Sequence, residues 1–301
     1  MHDCAVIGGG PAGLTAAIYL ARYHLSVAVF DDGTSRAASI PMSHNHAGFP
    51  DGINGRDLLD RMRTQALKHG VDIRAEKVTE LHRTSNGFRV LSCEPLDVRS
   101  VLIATGVVNR RPAMSAELHD RAVSAGLIRY CPVCDGFEIT DKSIAVIGSG
   151  SRAFKEVLFL RSYTKNLTLV SDVTEHGLSA EEAVRLEELG VAVRTGPVEF
   201  VSADGGAIEI RARGQRFSFA VAYPALGSDV RSDLAAMVGA ELSDEGCVTV
   251  DAHQRTTVVG LYAAGDVVIG LDQISNAMGQ AGVAATSIRN DLCDSTPLIR
   301  P

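Results

Sequence analysis

The sequence predicts an α/β fold made of two three-layer domains, the second inserted in the first. Two glycine-rich fingerprints, Gly8 to Gly13 and Gly148 to Ala153, each follow a short apolar strand and open a helix. This order is typical of dinucleotide-binding βαβ units, so both domains are expected to be Rossmann-like. A Cys-x-x-Cys pair lies between the fingerprints. The predicted bounds are residues 1–113 and 242–301 for the first domain and 114–241 for the second.

The first fingerprint has the features of a pyrophosphate site. It stands in a predicted strand over Cys4–Ile7, helix over Leu14–Tyr23 and strand over Ser26–Phe30. Its glycines permit a tight turn, close approach of the backbone to a pyrophosphate, and close helix packing. The acid that ends the second strand is placed to bind a ribose hydroxyl. The candidate residues of this site are Gly8, Gly10, Pro11, Ala12, Gly13, Asp31 and Asp32.

The rest of the first domain alternates between loop, helix and strand. Residues 33–55 are expected to form a loop, in which His44 and His46 act either as bases or, as we favour, only to order the loop. The pattern then predicts a helix over Arg56–His69 and strands over Val71–Ile73, Val78–His82, Gly87–Cys93 and Leu96–Ala104. The last strand runs into Ala104-Thr105-Gly106, at the edge where a bound dinucleotide would lie.

An internal repeat of the first βαβ unit follows a composition break over Pro112–Leu127. We expect a strand over Ile144–Ile147, a helix ending near Tyr163 and a strand over Leu167–Val170. The offset from Gly10 to Asp31, applied to the middle glycine of the second copy, reaches Ser171, with Asp172 next. The candidate residues of a second nucleotide site are Gly148, Gly150, Ser151, Arg152, Ala153 and Asp172.

The C-terminal part predicts a second meander and a return to the first domain. The expected elements are a helix over Ser179–Leu189, a strand over Val191–Arg194, alternating strands over Phe200–Tyr223, a return near Leu242, an apolar strand ending in Gly265-Asp266, and a helix rich in small residues over Gln273–Leu292.

Composition and charge limit the classes of function. The chain has 301 residues, 46% of them hydrophobic, and a net charge of -7. Because no run of Lys and Arg is dense, we expect neither nucleic acid nor an anionic membrane as a partner. No apolar run approaches the about 18 residues of a spanning helix, and no basic, cleavable leader is visible, so we expect a cytoplasmic protein.

The segment Cys131-Pro132-Val133-Cys134-Asp135-Gly136 is the expected centre of the chemistry. Two thiols two residues apart can close a disulfide and exchange two electrons reversibly. The other cysteines, Cys4, Cys93, Cys247 and Cys293, are scattered singly and are expected to serve as apolar packing. A zinc site needs about four ligands, and the sequence offers no second Cys-x-x-Cys or nearby His pair, so no metal is expected.

With these motifs placed, the chain resembles the low-molecular-weight thioredoxin reductases over essentially its whole length. The matching groups are Gly8–Gly13, His46–Gly55, Ala104–Gly106, Cys131–Gly136, Gly148–Ala153, and Tyr262–Val267 with Gln273. The resemblance implies that the first domain holds FAD, and it adds as candidates His44, Asn45, Ala104, Thr105, Gly106, Gly265, Asp266, Gln273 and Ile274. In that family the aspartate corresponding to Asp266 lies on the ribityl chain, and the helix after it points its N-terminus at the flavin. The resemblance also implies a homodimer.

The resemblance assigns roles to the dithiol as well. Cys134 would contact the flavin, Cys131 would attack an external disulfide, and Asp135 would donate and accept protons. The implied partner is a thioredoxin-like protein or a small disulfide or dithiol.

The chain departs from the family at the second fingerprint and around the dithiol. NADPH-dependent members carry a cluster of His and Arg that clamps the 2′-phosphate, where this chain has Ser171, Asp172, Val173 and Gly177. We therefore expect NADH to be preferred over NADPH, with Arg152 and Lys155 either restoring some phosphate affinity or acting only as surface charges. The Pro132-Val133 pair, and a loop over Arg36–Ile40 without the usual Gly-Gly-Gln, are closer to relatives that act on small dithiols.

Three functions remain open at this point. The first is an FAD-dependent disulfide reductase. The second is a small-molecule dithiol oxidase on the same scaffold, with oxygen or NAD(P)⁺ as acceptor, because thiol-disulfide exchange is reversible and only the potentials decide its direction. The third is a redox-sensing flavoprotein without efficient turnover.

Overall fold

The structure is a computed structural model that describes residues 1–171 and 173–295. Asp172, one of the candidates for a second nucleotide site, lies outside the described residues. Within those residues, no helix is both long and apolar enough to cross a membrane.

A mostly parallel sheet forms the centre of the first unit. Its described strands are β1 (His2–Ile7), β2 (Val27–Phe30), β3 (Asp72–Arg74), β4 (Glu80–Thr84), β5 (Gly87–Leu91), β6 (Leu96–Ile103) and β16 (Leu261–Ala263). They follow the order β3-β2-β1-β6-β5-β4, and β16 pairs with β6. The stretch Cys4–Ile7 of β1 is buried on both faces, which explains why it is apolar without alternation.

Helices α1 (Pro11–Arg22), α2 (Gly55–Lys68), α7 (Asp233–Met237) and α8 (Ile274–Ser295) belong to this unit. Helix α1 begins with a proline at its first turn, where the missing N–H costs nothing. Asn54 caps α2 by accepting from the backbone N–H groups of Arg56 and Asp57. Helices α1 and α8 pack closely because both present fully buried alanines, among them Ala16 and Ala284.

The second unit repeats the parallel sheet on a smaller scale and adds a meander. Its elements are α3 (Ala116–Ser124), α4 (Pro132–Asp135), β8 (Ile144–Ile147), α5 (Gly150–Leu160), β9 (Leu167–Val170), α6 (Ala180–Glu188), β10 (Ala192–Arg194), β11 (Val198–Asp204), β12 (Ala207–Ala212), β13 (Gln215–Phe219) and β14 (Val221–Pro224). The parallel strands have the order β10-β9-β8-β14, and the antiparallel ones β11-β12-β13. A capping box between Ser179 and Glu182 begins α6.

Two short strands mark where the chain passes between the units. They are β7 (Val107–Asn109) and β15 (Ser228–Val230), which pair antiparallel. Leu234 and Ala235 of α7, beyond β15, pack into a core of the first unit. We therefore propose that the chain returns to the first unit between β14 and β15, earlier than the residue 242 expected from the sequence.

The two parallel sheets confirm the predicted α/β fold, and the strongly periodic elements lie within a few residues of their predicted positions. The short helix α7 was not predicted, nor was α3, which lies inside the stretch Pro112–Leu127 that was interpreted only as a composition break. The apolar face of α3 is short, and Ala122 is the helix residue that is fully buried against the second core. A nine-residue helix with so few apolar positions gives a weak periodic signal.

Candidate active site

A cleft with a volume of about 250 Å³ joins the first fingerprint to the Cys131–Cys134 pair. The predicted residues that line it are Gly8, Gly10, Pro11, Ala12, Asp31, Asp32, His44, Asn45, Ala104, Thr105, Gly106, Cys131, Cys134, Asp135, Gly265, Asp266, Gln273 and Ile274. Gly13 lies behind this wall, where a Cβ would collide with the carbonyl oxygen of Gly8. Gly13 therefore permits the close packing of α1 on the turn, as predicted for the third glycine.

The turn of the first fingerprint is shaped to receive an anion. Gly8 has a φ of 117°, and a Cβ at this position would meet the carbonyl oxygen of Ala104. Gly10 is the N-cap residue of α1 and has no side chain to cap it. The N–H groups of the first turn, and the positive end of the helix dipole, are thus directed at the cleft, which fits a pyrophosphate.

Asp31 ends β2 at the wall of the cleft, where a ribose would be bound. Its side chain is only 6% exposed, accepts a hydrogen bond of 2.9 Å from the N–H of Gly33, and forms an ion pair with Arg63 of α2. The neighbouring Asp32 accepts hydrogen bonds from Thr34. The carboxyl group of Asp31 is thereby fixed in orientation, and its oxygens can accept hydrogen bonds from ribose hydroxyls. Arg63 was not predicted because nothing in α2 links it to β2 in sequence.

Arg36 forms ion pairs with two acidic residues that line the cleft, Asp266 and Asp272. Its Nη1 lies 3.1 Å from Oδ2 of Asp266 and 2.9 Å from Oδ2 of Asp272. Burial raises the pKa of Asp266, and the charge of Asp272 adds to this, whereas Arg36 opposes both. The sequence marked Arg36 only as a departure from the family loop. The structure shows that its guanidinium reaches the residue expected to hold the ribityl chain.

The two cysteines form a disulfide at the edge of the cleft. Cys131 is the N-cap of the short helix α4, and its Sγ accepts a hydrogen bond of 3.2 Å from the N–H of Cys134. The side-chain nitrogen Nε2 of Gln273 lies 3.1 Å from Sγ of Cys131 and 3.3 Å from Sγ of Cys134. Gln273 was expected beside the flavin. The structure places its amide against both sulfur atoms.

Asp135 is held by two partners: Tyr223, which is distant in the chain, and Arg129, which lies shortly before the Cys131–Cys134 motif. The hydroxyl of the fully buried Tyr223 donates a hydrogen bond of 2.6 Å to its Oδ1, and Nη1 of Arg129 lies 3.3 Å from its Oδ2. Burial raises the pKa of Asp135, while Tyr223 and Arg129 lower it in part. Tyr223 stands on β14 and carries no local motif, so sequence reasoning did not find it.

A second half-buried carboxyl group, that of Glu156 on helix α5, lies near Asp135. Burial raises the pKa of Glu156 to about 7; Arg152 opposes this increase, and Asp135 adds to it. Near neutral pH this carboxyl group can therefore hold or release a proton close to Asp135.

The second fingerprint lies outside the cleft. The N–H of Gly150, at the start of α5, donates a hydrogen bond of 2.8 Å to the carbonyl oxygen of His176. Ser171 is fully buried, and its hydroxyl binds the carbonyl oxygens of Val173 and Glu175 at 3.1 and 3.2 Å. The loop over residues 173–178 is thus folded onto the N-terminus of α5, where a second pyrophosphate would bind.

The elongated cleft, the fingerprint turn and the disulfide together define a flavin disulfide oxidoreductase. Residues 2–281 match the pyridine nucleotide-disulphide oxidoreductase family, and the chain belongs to it.

Within that family the chain is thioredoxin-reductase-like. It is 33% identical over 281 residues to a thioredoxin reductase from Mycolicibacterium smegmatis, with 89% of each chain covered. It is 32% identical over 290 residues to a bifunctional thioredoxin reductase/thioredoxin from Mycobacterium leprae, covering 89% of this chain and 60% of that one. The crystal structure of a thioredoxin reductase from Streptococcus pyogenes superposes with a TM-score of 0.88 at 27% identity, over 98% of this chain and 99% of the other.

These matches confirm the predicted class and fold. The chain is an FAD-dependent disulfide oxidoreductase that acts on a sulfur group, built on two Rossmann-like domains. Membership of this family implies FAD and a nicotinamide nucleotide as cofactors, without deciding between NADH and NADPH.

Proposed function

We propose that this protein passes two electrons from FAD to the disulfide of a thioredoxin-like protein through Cys131 and Cys134. The observation that carries the proposal is that the bonded cysteines line the same cleft as the first fingerprint. A carrier bound at the fingerprint can therefore reach the dithiol without leaving the cleft.

The residues of the cleft fit FAD by their chemistry. The uncapped N-terminus of α1 would bind the pyrophosphate, Asp31 would accept from ribose hydroxyls, and Asp266 would accept from the ribityl chain. Arg36 keeps Asp266 in place through its ion pair. Bound FAD would supply the two-electron carrier, since no protein side chain can accept a hydride.

The cysteines and Asp135 would carry the exchange itself. Cys131 would attack the external disulfide, and Cys134 would close the internal disulfide again from the flavin side. The N–H of Cys134 already donates to Sγ of Cys131, which favours a thiolate there. Asp135, with its raised pKa, would give a proton to the thiolate that leaves the partner.

Two apolar side chains beside the motif support a protein partner. Phe137 is 81% exposed and Val133 is 42% exposed, one on each side of Cys134. Exposed apolar groups at a reactive site favour contact with another apolar surface. A protein partner also agrees with the relatives, which are thioredoxin reductases, one of them a bifunctional thioredoxin reductase/thioredoxin.

NADH is the proposed electron donor. An anaerobic stopped-flow experiment on the FAD-loaded protein tests this: NADH should bleach the flavin faster than NADPH, and addition of an oxidised thioredoxin should restore the oxidised spectrum. If the flavin is bleached by dithiols but by neither nicotinamide, the reductase proposal is wrong.

A dithiol oxidase is the second candidate, favoured by one observation. The loop over residues 173–178 already occupies the N–H of Gly150, so the second fingerprint meets a nicotinamide nucleotide only after this loop moves. Rapid reduction by small dithiols under the same conditions, with reoxidation by oxygen, would favour the oxidase. The redox-sensing role, the homodimer and the cytoplasmic location stay predictions.

A further inference from the structure

A chain of side-chain hydrogen bonds runs from the first unit to the disulfide. The hydroxyl of Ser43 lies 3.2 Å from Oδ1 of Asn45, and Nδ2 of Asn45 donates to Oε1 of Gln273 at 2.9 Å. Nδ2 of Asn45 also donates to the carbonyl oxygen of Val133 at 3.1 Å. At its far end, Nε2 of Gln273 lies 3.1 and 3.3 Å from the two sulfur atoms, closer than its Oε1, which lies 3.6 Å from Sγ of Cys134.

The orientation of the Gln273 amide within this chain of hydrogen bonds is fixed by the groups around it. One N–H of Gln273 Nε2 binds the carbonyl oxygen of Asp272 at 2.9 Å, and the other is shared by the two sulfurs. If the amide were flipped, Oε1 would face the Asp272 carbonyl, and Nε2 would face the donor Nδ2 of Asn45. Both contacts would be repulsive, because an acceptor would meet an acceptor and a donor would meet a donor. Asn45 therefore keeps an N–H of Gln273 directed at the sulfurs.

We propose that Gln273 is a catalytic residue of the dithiol, whose N–H stabilises the thiolate of the reduced pair, and that Asn45 is the positioning residue that aims it. The role rests on the proposed function, in which the pair is reduced by the flavin. In that step the S–S bond breaks as the pair takes two electrons and one proton from the anionic reduced flavin, which leaves one thiolate, one thiol and oxidised FAD. The negative charge that forms on sulfur has the amide N–H already within hydrogen-bond distance.

The reason for expecting an effect on the thiol is electrostatic. A hydrogen bond to the charged form of a group lowers its pKa, and charge-assisted bonds are the stronger ones. Within the described residues, Sγ of Cys131 also receives the N–H of Cys134, whereas for Sγ of Cys134 the amide of Gln273 is the side-chain donor at hand. Loss of this donor should raise the pKa of the more acidic thiol by about 1.

Other ionisable groups around the pair will contribute to the same titration. Those that line the cleft are Asp31, Asp32, Arg36, His44, Arg129, Tyr130, Asp135, Glu138, Arg231, Asp266 and Asp272. Gln273→Leu leaves all of them in place and adds no charge, whereas Asn45→Asp adds one carboxyl group, whose direct effect the double-mutant cycle below separates.

The first experiment measures the alkylation of the reduced, FAD-loaded protein by iodoacetamide as a function of pH, with the modified peptides counted by mass spectrometry. Gln273→Leu should move the midpoint of alkylation up by about 1 pH unit. Asn276→Leu is the matched control, since Asn276 stands in the first turn of α8, three residues after Gln273, and binds the carbonyl oxygen of Leu271 instead of a sulfur. An unchanged midpoint in Gln273→Leu overturns the proposal.

The second experiment tests the direction of the chain by a double-mutant cycle. Asn45→Asp replaces a donor by an acceptor, so Gln273 should turn its N–H toward the new carboxylate and away from sulfur, which again raises the midpoint. If Asn45 acts through Gln273, Asn45→Asp should change the alkylation midpoint of the Gln273→Leu variant only slightly. Full additivity would mean that the new charge acts directly, and it would remove the positioning role.

The alkylation midpoints do not depend on turnover, which separates the two proposals. If Gln273→Leu raises the alkylation midpoint but the wild type does not reduce thioredoxin, the role of Gln273 is supported and the proposed function is wrong. Normal reduction of thioredoxin with an unmoved midpoint in Gln273→Leu would do the reverse.

Discussion

Asp135 shows how single residues prepare the dithiol for proton transfer. Its carboxyl group is half-buried, and it is held by the hydroxyl of Tyr223 and the guanidinium of Arg129. The motif Cys-x-x-Cys-Asp revealed the acid, but its partners lie on β14 and in the loop before the motif, and they became visible only in the structure. Arg36 was missed in the same way, because its pairing with Asp266 joins opposite ends of the chain.

Tyr223→Phe tests the hold on Asp135. Loss of the hydrogen bond to the carboxylate should raise the pKa of Asp135 further, so the limb of the pH-rate profile that reports this group moves to higher pH by about 1. The profile of disulfide reduction, measured at saturating donor, gives the value. Tyr130→Phe is the control, since the Tyr130 hydroxyl binds His119. Coincident profiles for Tyr223→Phe and the wild type would show that Tyr223 does not tune the acid.

Glu156 makes a prediction about stability and pH. Its pKa is raised to about 7 in the folded protein from 4.5, so the folded state holds the proton more tightly. This contribution is complete below pH 4.5 and is lost as the pH rises through 7. As the pH rises from 5 to 8, the unfolding free energy of the wild type should fall by about 1–2 kcal/mol more than that of Glu156→Gln, as measured by urea titrations. The control Glu187→Gln, at an exposed position, should show the same change of unfolding free energy with pH as the wild type. If Glu156→Gln also shows the wild-type change, the raised pKa assigned to Glu156 is wrong.

At the scale of elements, the helix pair α1 and α8 supports the cleft from behind. The start of each helix lines the cleft, while their buried alanines let the axes approach closely. The sequence showed that the last helix is rich in small residues, and the structure shows that its neighbour is α1. The partner was not predictable, because periodicity identifies a buried face without naming what covers it.

Ala284→Leu should force these helices apart. Ala284 is fully buried, and a larger side chain in a close-packed interface typically costs about 1–3 kcal/mol. We expect a lower urea midpoint and weaker retention of FAD on gel filtration. Val283→Leu places the same side chain on the adjacent position, which is 41% exposed, and should leave both unchanged. Equal effects of the two variants would mean that the packing of α1 on α8 does not hold the cleft.

For the whole molecule, the sequence predicted the βαβ repeats well and the passages between units poorly. Glycine fingerprints and apolar strands are local signals, so the sheets could be predicted in order. The pairing of β7 with β15 joins segments far apart in the chain, and neither strand has a pattern that names the other. The cleft arises from the same long-range assembly, since Gln273 and Cys134 meet only after both units have formed.

The central claim is that the Cys131–Cys134 disulfide exchanges electrons with FAD inside this cleft. An anaerobic dithionite titration of the FAD-loaded protein tests it most directly by counting the electrons taken up before the flavin is fully bleached. The wild type should take up about four electrons per FAD, two for the flavin and two for the disulfide, whereas Cys131→Ser and Cys134→Ser should each take up about two. A wild-type protein that is fully bleached by two electrons, with its disulfide still intact, would contradict the account.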